Sequence, residues 1–346
     1  MMVKREPFGQ ANGQPVERYI LSGKGGLEAA VLTYGATIQA LRFAGRDLVL
    51  GYDTLEGYQN AAGSYQGATI GRYANRIAEG RFMLNGVSYD VGCNEAGRGH
   101  LHGGVRGFDK KVWTAQVLDD GEEPTVRFST EAADGEEGYP GRLQVSVTIR
   151  VTADNTLKLV YDAVSDRDTV FNPTNHAYFN LNGWDGGDVL DTQLTVYADA
   201  ITLLDERLIP TGEILPVEGT VFDFRQGKAI GEAVLSSHPQ IQIGGGIDQN
   251  FVLGMDCRPR HAAHAVSPRS GIAVDCTTDR PGLQVYTANG LKEQDGKGGI
   301  PLYRYQGFCL ETQCFPDSPN HPEFPTTTLR AEEPFHSVTS YRFTQE

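Results

Sequence analysis

Two residues far apart in the chain have the makings of an acid–base pair. His176 sits in PTNHAYFNL (173–181), a stretch that otherwise reads as buried strand. An imidazole titrates near ~6.5 and serves as acid or base at cellular pH. Glu311 follows GFCL, which reads as buried strand, and precedes the Pro-rich TQCFPDSPNHP. A carboxylate at the end of a buried strand is costly unless paired, and desolvation raises its pKa toward the range of a general base. Taken singly, each has a plainer reading. His176 is then a core histidine satisfied by Asn175 and Asn180, and Glu311 one half of a structural salt bridge.

Three further polar clusters interrupt the strands. GRYANRIAEGRF (71–82) carries Asn75 and Arg76, which suit a hydroxylated or anionic ligand unless Arg76 merely pairs with Glu79. HLHGG (100–104) carries His100 and His102, two apart and so on one face of a strand, which is a metal-ligand spacing. No carboxylate or cysteine pair completes a ligand pattern there, and Gly103–Gly104 points instead to a tight turn where backbone passes close to a ligand or another strand. GGGIDQNFVL (244–253) carries Asp248, either a turn residue or a ligand-binding carboxylate. A His, a Glu, an Arg and an Asp at strand edges, on an aromatic-rich scaffold, fit a cleft for a small polar ligand.

The elements that must hold these residues are strands. LQVSVTIRV (143–151) alternates apolar and polar side chains, ADNT turns, and LKLVYDA (157–163) resumes the alternation. TVRFSTE (125–131), LTVYADAITLL (194–204), GIAVDCTT (271–278), GLQVYTAN (282–289) and GFCLETQ (307–313) read the same way. Helical signal is confined to DTLEGYQNA (53–61) and GKAIGEAV (227–234). Strands without interleaved helices predict an all-β fold, a large antiparallel β-sandwich. The polar stretch DCRPRHAAHAVSPRSG (256–271) reads as a mobile loop or insertion. No repeat or low-complexity linker divides the chain, so residues 1–346 are expected to form one domain.

Composition narrows the partners. Gly is 42 of 346 residues, an excess that short strands and tight turns use. The net charge is −14 with no basic patch, which argues against nucleic acid and anionic membrane. Five scattered cysteines without a CxxC pair fit a reducing compartment. The opening MMVKREPFGQANGQ has no apolar stretch of the signal-peptide kind, and no apolar run approaches ~18 residues. The expectation is a soluble cytoplasmic protein, monomer or homodimer, acting on a small molecule.

In order along the chain, LTYGATIQALRF, GRYANRI, LHGG, NPTNHAYFNL, DQNFVL, GLQVYTAN and ETQCFPDSPNHPEFP resemble the aldose 1-epimerase (galactose mutarotase) family. The resemblance covers most of the chain. It implies a single large β-sandwich, the galactose mutarotase-like supersandwich, with an open sugar cleft and interconversion of the α and β anomers of aldohexoses. It implies His176 as general acid and Glu311 as general base. It implies Asn75, Arg76, His102, Asp248 and Gln284 as sugar-binding residues. Tyr178, two residues after His176, is expected on the same face. No metal, redox group or other cofactor is implied. Two positions depart from the family pattern, Ala177 after the acid and Gln249 after the aspartate. The competing readings are a non-catalytic sugar binder on the same fold, a glycoside hydrolase using Asp248 and Glu311, a metal enzyme using His100 and His102, and a relative acting on hexose 6-phosphates.

Overall fold

The computed structural model of the chain describes residues 2–61, 63–95 and 97–346. Alternation decides its architecture. In the strand Leu143–Val151 the five apolar side chains are buried and the polar ones between them are exposed or half-buried. It pairs antiparallel with Thr156–Ser165, in register from Leu143↔Ser165 to Val151↔Leu157. Asn155 closes the turn at φ 63°, a left-handed conformation that Asn tolerates.

This hairpin lies within a nine-stranded sheet. Its spatial order is Thr114–Asp119, Thr125–Ala132, Leu143–Val151, Thr156–Ser165, Phe335–Gln345, Ile272–Thr278, Arg260–Val266, Gln193–Val196 and Lys228–Ala229. Two five-stranded sheets complete the framework. One is N-terminal, Val3–Ala11 through Arg46–Asp47 in sequence order. The other, which carries the site, runs Pro210–Pro216, Ala200–Leu204, Asp248–Val252, Gly282–Tyr286 and Cys309–Gln313. Pairing is antiparallel in all three. One core joins them, with Leu21 and Val31 from the N-terminal sheet, Val147 and Phe343 from the nine-stranded sheet, and Phe251, Val285 and Leu310 from the site sheet. The fold is the expected antiparallel β-sandwich.

Two expected helices form, as Leu55–Asn60 and Ile230–Val234. A third, Pro239–Gly244, was not expected, although its ends are marked in the sequence. His238 caps the first turn by accepting the Gln240 N–H at 3.3 Å, Pro239 occupies the first helical position, and Gly245 ends the helix at φ 67°.

Two strand readings are corrected. LTVYADAITLL is two strands, since Gln193–Val196 joins the nine-stranded sheet while Ala200–Leu204 crosses into the site sheet. The stretch 256–271 is not an inserted loop, because Arg260–Val266 is an internal strand paired on both sides. Its buried residues are Ala262, Ala263 and Ala265, too small to register as an apolar face. A bulge between His261 and Ala263 also breaks the two-residue period there.

Candidate active site

The cleft opens on the face of the site sheet that points away from the nine-stranded sheet. In Cys309–Gln313, Leu310 joins the sandwich core, and the Thr312 hydroxyl bonds that of Thr339 in the nine-stranded sheet. Cys309 and Glu311 alternate with these residues and face the other way. The neighbouring strand pairs Gln284 with Glu311 and Val285 with Leu310. Val285 is therefore inward, and Tyr286 faces the cleft. Asp248 enters from the next strand, paired with Tyr286. Glu311 thus sits mid-strand, not at the strand end as the sequence suggested.

His176 comes from an irregular segment that hydrogen-bonds the turn at Gly67 and Ala68. Ala177 packs into the sandwich core while His176 and Tyr178 face the cleft. His176 Nε2 lies 3.7 Å from Glu311 Oε1. The ring is sandwiched by Tyr178 at 4.9 Å and Tyr65 at 5.9 Å, with His102 edge-on at 5.1 Å and Tyr286 at 6.2 Å between centroids. Asn175 and Asn180 do not hold it. Their amides bond the backbone carbonyls of Gly67 and Ala68, and of Gly187 and Gln306.

The two histidines of HLHGG diverge. His100 is a satisfied core residue, its Nδ1–H on the Val91 carbonyl at 2.8 Å and its Nε2 accepting the Tyr139 hydroxyl at 2.7 Å. The strand ends at Leu101, and His102 takes φ 51°, which swings its ring into the cleft. Gly103 follows at φ 85°, where a Cβ would lie 1.9 Å from the Gly71 carbonyl oxygen, so only glycine passes. His102 Nδ1 accepts the Asn75 N–H at 3.2 Å, which leaves the proton of the neutral ring on Nε2. Nitrogen or oxygen atoms of His102, His176 and Glu311 lie within 4.8 Å of one another, a grouping that could receive a metal ion. A His102 that donates from Nε2 is in the wrong form to be a ligand there.

Arg76 pairs with Glu95, not with Glu79. Its Nε and Nη2 make a fork to the two Glu95 oxygens at 2.7 and 3.1 Å, and its Nη1 points toward Asp248 Oδ2 at 4.0 Å. Arg98 holds Glu95 from the other side at 2.8 Å. Asp248 Oδ1 accepts the Gln284 amide at 2.7 Å. Gln284 shares the strand face of Tyr286 and braces Asp248, while Asn75, Arg76, His102, His176, Tyr178, Asp248 and Glu311 line the cleft.

Burial governs the charges. It raises Glu311 well above the usual carboxyl range, with Asp248 adding and Arg76 opposing. It pushes His176 down to about 4. It lowers His102 as well, reinforced by His176. No hydrogen bond reaches Glu311 Oε2 among the described residues. Burial thus shifts both groups toward their uncharged forms, Glu311 toward the protonated acid and His176 toward the neutral ring.

The cavity measures about 300 Å³, room for a monosaccharide. A larger, shallower hollow of about 840 Å³ lies on the nine-stranded sheet around Arg127, Gln144 and Asp162, but without a comparable convergence of buried ionisable groups. Tyr286, Tyr65 and Glu95 are among the cleft residues that escaped the sequence reading. Tyr286 lies two positions after Gln284, so strand alternation would have found it. Tyr65 and Glu95 lie on loops, where no periodicity marks them.

Comparison with known proteins identifies the family. The family model described as aldose 1-epimerase matches residues 17–342. Galactose mutarotase of Rattus norvegicus is 41% identical over 349 residues, spanning 99% of this chain and 98% of its own. Aldose 1-epimerase of Escherichia coli (strain K12) is 35% identical over 353 residues, the full length of both. The crystal structure of galactose 1-epimerase from Lactobacillus acidophilus superposes with a TM-score of 0.89 at 29% identity, covering 99% of this chain and 98% of that one. Sequence and fold agree from end to end, and the chain belongs to the aldose 1-epimerase family.

Proposed function

We propose that this protein is a mutarotase. It interconverts the α and β anomers of an aldohexose such as glucose or galactose, with Glu311 as base and His176 as acid. The observation that carries the assignment of roles is the 3.7 Å approach of His176 Nε2 to Glu311 Oε1 at the floor of a sugar-sized cleft. Glu311 takes the proton of the C1 hydroxyl while His176 gives one to the ring oxygen. The bond from C1 to the ring oxygen breaks, the open-chain aldehyde turns about C1–C2, and the same groups run the step backwards on its other face. Each positioned group contributes roughly 10²–10⁴-fold. Both end as they began, so the cycle consumes no redox equivalent.

The proton count supports the couple. Ring opening leaves Glu311 protonated and His176 neutral, and burial shifts both groups in that direction. The two groups share one proton throughout and titrate as a pair.

Asn75, Arg76, His102 and Asp248 hold sugar hydroxyls, His102 as a donor from Nε2, and Tyr178 supplies an apolar wall. Gln284 acts through Asp248. The whole chain works as one domain, supported by a core drawn from all three sheets. Its five unpaired cysteines fit a cytoplasmic setting, and among the described residues no helix is long and apolar enough to cross a membrane.

Polarimetry on freshly dissolved α-D-galactose and α-D-glucose tests the activity. Mutarotation no faster than the buffer blank would reduce the protein to a sugar binder. Glu311→Gln and His176→Asn should each lower kcat by about 10²–10⁴-fold while sugar binding persists. A near-normal kcat in either removes that residue's role.

A further inference from the structure

The two nitrogens of His176 meet two residues of a single strand. Glu311 faces Nε2, and Cys309, two positions earlier on the same face, places its Sγ 3.5 Å from Nδ1. Cys309 is fully buried. Burial, then Glu311, keeps it a thiol by raising its pKa well above the usual value. Four aromatic rings pack against it, Tyr65, Tyr178, Tyr286 and His102, and the ring also hydrogen-bonds its own backbone.

The aromatic contacts fix the plane of the ring but not which edge faces the cleft. A half-turn about the Cβ–Cγ bond exchanges Nδ1 with Cδ2 and Nε2 with Cε1, and stacked rings scarcely distinguish the two. Polar partners at the ring nitrogens do, Glu311 at Nε2 and a partner at Nδ1. Among the described residues, the Cys309 thiol is the side-chain partner there. A thiol also suits a ring that must gain and lose a proton at Nε2. Its S–H donates to Nδ1 of the neutral ring, and its sulfur accepts from Nδ1–H of the imidazolium. A carboxylate in that place would hold the imidazolium too firmly for an acid that must let its proton go.

We propose that Cys309 is a positioning residue, which fixes the edge and tautomer of His176 so that Nε2 carries its proton toward Glu311 and the sugar. The catalytic half of this inference rests on His176 as the acid. The structural half can be read without turnover, by long-range ¹H–¹⁵N NMR of the imidazole nitrogens in labelled protein.

The wild type should show one neutral tautomer at His176, with the proton on Nε2. A mixture of tautomers in the wild type would overturn the proposal with no variant needed. Cys309→Ala should blur that signature and lower kcat about tenfold with KM within twofold. Cys309→Ser, which keeps a hydroxyl partner, should restore both. Unchanged His176 shifts and unchanged kcat in Cys309→Ala would overturn the proposal. Altered shifts with unchanged kcat would uphold the positioning and remove His176 from its place as acid.

Discussion

At the scale of single residues, burial shifts the titration of two cleft groups, and stability should record it. Glu311 stays protonated well above the pH at which a carboxyl in the unfolded chain ionises. Unfolding then releases a proton, so this residue lowers stability increasingly as pH rises past ~4.3. His176 works in the opposite sense. It stays neutral down to about 4, whereas the unfolded ring takes up a proton below ~6.5, so stability falls as pH drops through that window. At pH 8 only the Glu311 cost remains. Glu311→Gln is therefore expected to raise Tm at pH 8 by about 2–4 °C, with the gain shrinking toward pH 4.5. Calorimetry at the two pH values checks this, and a lower Tm for the variant at pH 8 would contradict it. Residue chemistry marked each of the two as a candidate, and the resemblance to the family joined them as acid and base. The residue reading misjudged their neighbours. Asn175 and Asn180 stood next to His176 in sequence yet bond backbone carbonyls, while its polar contacts, Cys309 and Glu311, lie more than 130 residues away.

At the scale of elements, what was legible followed the two-residue period. Alternation told which side chains of GLQVYTAN and GFCLETQ share a face, and the structure sorts Leu310 and Val285 to the core and Glu311 to the cleft accordingly. Where side chains were small or a bulge intervened, as in Arg260–Val266, the same reasoning failed. Loops were illegible, and the loop at Glu95 matters. Glu95 occupies two arms of the Arg76 fork and leaves Nη1 for the cleft. Glu95→Gln keeps the shape and removes the charge, so Arg76 should lose its fixed orientation. We expect KM for galactose to rise about tenfold with kcat little changed. Steady-state kinetics decide it, and an unchanged KM would show that Arg76 needs no such anchor.

At the scale of the whole molecule, the sandwich was legible as a class, but its division into three sheets was not. A run such as LTVYADAITLL carries no mark of the point where the chain leaves one sheet for another. That division has a mechanical result. The proposed acid and base are not carried on arms that can loosen on their own. Glu311 alternates with Leu310, whose carbonyl receives the Tyr341 hydroxyl from the nine-stranded sheet at 2.7 Å. His176 precedes Ala177, which is packed in the same core. Turnover is therefore a built-in gauge of folding. In a urea titration at saturating sugar, loss of activity and the change in fluorescence of Trp113 and Trp184 should fall on one curve with one midpoint. Activity vanishing well before the fluorescence changes would mean that the catalytic couple can be unseated while the sandwich stays intact.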